Sequence, residues 1–139
     1  MIQPNINYLA VLVAGAAAWI AGAVWYGVLG KYWLAALGKT KEQLMGPGGK
    51  PKPGPFVLSF VADLIIAFVL AGLIGAVGAG KVSVLAGIAT AALMWTGFVV
   101  TTMAVNNAYA GRKTTLTVID AGHWLVAMAV AGAVVGAFG

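Results

Sequence analysis

The sequence predicts an all-α integral membrane protein: a bundle of four transmembrane helices, with both termini outside and a short interfacial helix in the first cytoplasmic loop. Three observations predict it. Four apolar runs, Tyr8–Leu29, Phe56–Ala79, Val82–Val105 and Thr117–Phe138, have 22 to 24 residues each, and about 20 helical residues cross a bilayer core of roughly 30 Å. The chain is 62% hydrophobic and only 8% charged, whereas a soluble domain carries about 25% charged residues. Too few polar side chains are present to cover a water-facing surface. Finally, seven of the eight basic residues fall in the first and third loops and one, Lys81, in the second. By the positive-inside rule the first and third loops face the cytoplasm.

The length of 139 residues allows a single membrane domain. Span one is expected to stay in place rather than be cleaved, because Met1–Asn7 has no Lys or Arg and the run is longer than a leader's apolar core. The natural setting for such a chain is a bacterial cytoplasmic (inner) membrane. Its net charge of +5 comes from these loops, so nucleic acid is not an expected partner. No cysteine is present, which removes disulfides and thiolate sites. No cofactor is expected.

The first loop, residues 30–55, has its own organisation. Gly30–Gly38 continues helix one into the interface, with Trp25, Tyr26, Tyr32 and Trp33 as an aromatic belt at headgroup level. Gly38 supplies a stop. Thr40 and Gln43 match a capping box opening a short helix. Gly46–Pro55 is rich in Gly and Pro, and is expected to be extended and non-helical. Spans two and three are joined by a tight step around Gly80 and Lys81.

Apart from tyrosines, the ionisable side chains inside the four runs are Asp63, Asp120 and His123, all toward the cytoplasmic end. Asp63 lies seven residues past Phe56, roughly 10 Å into the membrane. An acid there is costly, so it should face the interior and have a partner: Arg112, Lys113, His123 or an asparagine. It is read either as such a structural tie or as a proton or cation site. Asp120 and His123, three apart, share a helix face, and a carboxylate beside a histidine suits proton transfer. Thr117 with Asp120 also matches a capping pattern, under which Asp120 only caps span four. His123 is expected near the depth of Asp63. One histidine and two separated acids do not make a metal motif. Asn106 and Asn107, with Thr101 and Thr102, close span three. They either line a polar pocket or cap the helix end. Trp95, about mid-span, is read as packing.

Small residues mark packing faces. Ala14, Ala18 and Gly22 recur every four residues on span one, as do Gly132 and Gly136 on span four. Position 132 is half a turn round the helix from His123. One side of span four is therefore expected to pack within the subunit and the other to meet a second copy or partner. Gly72, Gly75 and Gly78 lie in the outer half of span two.

Together, Asn5–Val13, Trp25-Tyr26, Gly30-Lys-x-Trp33, Gly111-Arg112, Ile119–Gly122 and Trp124 resemble the family catalogued as domain of unknown function 1761. The resemblance runs over essentially the whole chain. It implies a small four-helix membrane protein and brings no activity, cofactor or catalytic residue. The residues themselves leave two main function classes. One is a non-catalytic assembly module or accessory subunit, associating with copies of itself or with partner membrane subunits amid lipid. The other is a homo-oligomeric channel or proton-coupled transporter using Asp63 and His123. No nucleophile–base pair, phosphate loop or metal triad suggests an enzyme.

Overall fold

Helix α1, Tyr8–Leu37, starts where the Asn7 side chain accepts the Ala10 N–H at 3.1 Å. In this computed structural model, which describes residues 5–139, the helix passes through the apolar run without a break and continues to Gly38. The stretch Met1–Asn7, lacking basic residues, lies partly outside the described residues. Gly38 ends α1 in the left-handed conformation, φ 74°. The Gly38 N–H donates to Ala35 O, and the Lys39 N–H to Leu34 O at 3.2 Å. This is a Schellman closure of otherwise free carbonyls. The short helix α2, Lys41–Leu44, follows with its capping box formed: Thr40 N–H donates to Gln43 Oε1 at 2.8 Å, and Gln43 N–H to Thr40 Oγ1 at 3.4 Å.

The Gly/Pro segment differs from expectation at both ends. Pro47–Gly49 forms a 3₁₀ turn. Helix α3, Pro53–Val77, then begins three residues before Phe56. Proline is accepted in a first helical turn, where its missing N–H has no partner to lose. The earlier start places Asp63 ten residues, roughly 15 Å, along the helix. The following connection is Gly78–Ser83, longer than a two-residue step, with Ala79 and Gly80 at positive φ.

Span three is not one uniform helix. It comprises α4, Val84–Met94, a π-turn, Trp95–Val99, and α5, Val100–Tyr109. Ser83 caps α4 by accepting the Ala86 N–H at 3.1 Å. In the π-turn, the Val100 N–H reaches Trp95 O, five residues back. Helix α6, Thr114–Phe138, starts three residues before Thr117. Thr117 and Asp120 thus lie inside the helix, and the capping role for Asp120 is not realised.

Helices α1, α3, α4–α5 and α6 are each long and apolar enough to cross a membrane. Helix α6 is the centre: α1, α3 and α4 all pack on it, α1 also packs on α3, and α3 on α4. The core is built from small side chains, including Ala14, Ala18, Ala67, Ala91, Ala127 and Ala131, with Leu70, Ile74, Met128 and Val135 between them. Lipid is as apolar as a helix surface, so helices in it are held by close van der Waals contact and hydrogen bonds rather than by water exclusion. Small residues make that contact possible. A Cβ at Gly87 would strike Gly132 O, one at Gly132 would strike Gly87 O, and one at Gly136 would strike Ser83 O. The Gly132–Gly136 face is therefore covered by α4. It does not remain open for a second copy, and His123 on the other side of α6 is covered as well.

Candidate functional site

The ends of the bundle differ in charge: one carries the first and third loops with seven basic residues, the other both termini. The polar side chains inside the spans gather toward the basic end, along the seam of α1 and α6. Ala14, Ala18 and Gly22 form the buried stripe of α1 on this seam. At Gly22 a Cβ would lie 2.6 Å from His123 Nε2, so glycine makes room for the imidazole. His123 is 8% exposed. Its ring stands 4.9 Å from that of Tyr26 and 4.7 Å from that of Trp124, and its Nδ1 has no hydrogen-bond partner. One turn before it on α6, Asp120 Oδ1 accepts a 2.6 Å hydrogen bond from the Tyr26 hydroxyl. That length is typical of a hydroxyl donating to a carboxylate.

Two indoles grip α6 around Asp120. Trp25 Nε1 donates to Ile119 O at 3.0 Å from α1, and Trp95 Nε1 donates to Ala121 O at 2.8 Å from span three. The edge of Trp25 lies over Gly122, where a Cβ would be 2.8 Å from the ring. Trp25 and Tyr26 are thus half-buried against α6. A buried indole N–H or phenol O–H needs an acceptor, and α6 supplies two carbonyls and a carboxylate. Trp33 packs edge-on to Tyr26 at 5.7 Å, while Tyr32 is exposed. The bond made by Trp95 was not foreseen from sequence. Nor was the one from Trp19 Nε1 to Ser59 Oγ, at 3.0 Å. A mid-span indole is itself the signal, because it carries a donor that lipid cannot satisfy.

Asp63 stands apart from this group. It is 2% exposed, and its Oδ1 has no hydrogen-bond partner. The expected ties do not form. Arg112, Lys113 and Asn106 are exposed. Asn107 Nδ2 instead donates to Thr117 Oγ1 at 2.9 Å, fastening the end of α5 to α6. Thr101 and Thr102 are exposed. Their hydroxyls donate to Gly97 O and Phe98 O of the π-turn, covering carbonyls that would otherwise face lipid.

The contact register along α1 gives relative depth. Gly15 meets Leu64, with a Cβ there 3.1 Å from the Leu64 Cα, and Gly22 meets His123. Seven residues of helix separate the two, roughly 10 Å. Asp63, next to Leu64, therefore lies about two turns deeper than the imidazole, not at the same depth. Among the described residues no three His, Cys, Asp or Glu side chains come close enough together to hold a metal ion. The imidazole and the phenol–carboxylate pair on the seam of α1 and α6, and the separate carboxyl on α3, are groups that take up and release protons.

A family model described as protein of unknown function (DUF1761) matches residues 9–136, nearly the whole chain, and the chain belongs to that family. No curated protein and no solved structure matches it.

Proposed function

We propose that this member of the family is a non-catalytic assembly module, joining copies of itself, or serving as an accessory subunit, by lateral association along the basic-end half of span three. The observation that carries this reading is the stripe Gly97, Thr101, Ala104 and Ala108, all exposed. These positions fall within about 60° of one another on an ideal helix. A Cβ at Gly97 would meet nothing within 4 Å. Small residues and threonines on one face are what membrane helices use to approach each other closely. Span three is also the least covered, with 22% of its apolar stretch buried against 33%, 33% and 44% for the others. Beyond its own span, α5 packs closely only on α6.

The basic end is proposed to face the cytoplasm of a bacterial inner membrane, on the seven-to-one distribution of basic residues. Transport by one chain is not favoured. Toward the terminal end, Ala67, Leu70, Ala71, Ile74, Ala131 and Val135 fill the core, and the one buried polar side chain given there among the described residues, Thr90, spends its hydroxyl on Ala86 O.

The absence of cysteine gives a clean test. Thr101→Cys in native membranes should cross-link to a second copy or to a fixed partner chain, while Ile20→Cys, exposed on α1, should not. Equal cross-linking at both positions would remove span three as the interface.

A further inference from the structure

We propose that Asp63 is a proton-binding site loaded from the basic end of the bundle, by way of His123 and the Asp120–Tyr26 pair. The site is independent of lateral association and stands or falls separately from it.

Two buried polar atoms without partners carry the inference, Asp63 Oδ1 and His123 Nδ1, on side chains 2% and 8% exposed. An ionised carboxylate so placed would have no counter-charge beside it and an Oδ1 shut away from water, and that is costly in a membrane interior. Binding one proton removes the charge. A metal ion would need several ligands at once, and among the described residues no three His, Cys, Asp or Glu side chains are gathered to supply them. A proton needs only one carboxylate oxygen.

The route follows one stripe of α1. Gly15 adjoins Leu64 and so the backbone of Asp63, Gly22 adjoins His123, and Tyr26 bonds Asp120. Residues 15, 22 and 26 fall within about 40° on a helix, spaced roughly 10 Å and 6 Å along it. The Asp120–Tyr26 pair and His123 thus lie between the basic end and the level of Asp63, with roughly 10 Å of helix between the imidazole and the acid. Beyond Asp63 the same seam continues through Ala14, Ala67, Leu70 and Ile74, each at most 2% exposed. In that direction Thr90 is buried, but its hydroxyl is engaged by Ala86 O at 2.7 Å. The proton therefore leaves by the way it entered.

The titratable groups facing this route are Tyr26 from α1 and Asp120 and His123 from α6. Span three contributes none, since its one titratable side chain, Tyr109, is 91% exposed. In the step itself one proton from the basic-end water passes over Asp120 and His123 to an oxygen of Asp63. The carboxylate becomes a carboxylic acid, and the relay groups return to their starting states. No other reactant is consumed.

The test uses the intact chain in phospholipid vesicles of known orientation. Dicyclohexylcarbodiimide, which adds to protonated carboxyl groups in apolar surroundings, is the probe, and peptide mass spectrometry locates the adduct. The adduct should form on Asp63 and diminish as pH is raised on the basic-loop side alone. Raising pH on the other side should leave it unchanged. Folded His123→Phe, with helical content as in the parent chain, should respond many times more slowly. Asp120→Asn provides the same comparison should that variant not fold. No adduct at any pH, an adduct indifferent to pH on either side, or a response only from the terminal side would overturn the proposal. Parent-like response rates in the folded relay variants would remove those residues from the route and overturn it equally.

Discussion

Near the termini the helices are joined by backbones in contact; near the basic loops they are joined by side-chain hydrogen bonds. In the first region Gly87 lies on Gly132 and Gly136 on Ser83, with no room for a methyl group. In the second, Trp25, Trp95 and Tyr26 reach into α6 and donate to Ile119 O, Ala121 O and Asp120. Both are ways of holding helices together in a solvent with no hydrophobic drive between them. The difference lies in what each leaves over. Close contact uses up the small residues on both faces. Joining through long side chains keeps polar groups inside the seam and leaves the Gly97–Ala108 stripe of span three uncovered. The π-turn at Trp95–Val99 marks the boundary between the regions. Such turns often occur at functional positions.

Substitutions can break that comparison region by region. The largest effect is expected from Gly132→Leu, which forces a side chain into the Gly87 backbone. It should cost at least about 3 kcal/mol, seen as loss of folded protein in denaturant titrations followed by circular dichroism. Tyr26→Phe should come next. It leaves the half-buried Asp120 without its hydroxyl donor and should cost about 1–3 kcal/mol in the same titration. Trp95→Phe keeps most of the packing and removes one N–H donor, while Ala121 O remains within a helix. A loss of about 1 kcal/mol is expected. A larger loss would show that the π-turn depends on this bond. Gly97→Leu should leave unfolding of the dissociated single chain within about 0.5 kcal/mol of the parent's, as for a substitution at an open surface position.

Much of the fold was legible because its signals are local. Span length and apolarity, the stop at Gly38 and the Thr40–Gln43 capping box each depend on a few neighbouring residues. Helix starts were less legible. Pro53 and Thr114 open their helices one turn before the apolar runs begin, since a first turn can stand among polar groups and prolines. What joins one helix to another could not be read at all. The helical wheel correctly sets Gly132 opposite His123, but it cannot say that α4 covers the glycine face. Counting from the run ends gave Asp63 and His123 similar depths. Only the contacts of Gly15 and Gly22 set them about two turns apart. Asp63 was recognisable as an inward-facing acid from its type and position, whereas its unpartnered Oδ1 depends on what the neighbouring helices bring to it.

The measurement that bears most directly on the contrast between the two regions is the assembled mass of Gly97→Leu, by native mass spectrometry of protein released from its own membrane with lipid attached. The expected result is a folded single chain where the parent gives a larger assembly. An assembly of unchanged mass and composition would contradict it, and would show that the open stripe of span three faces only lipid.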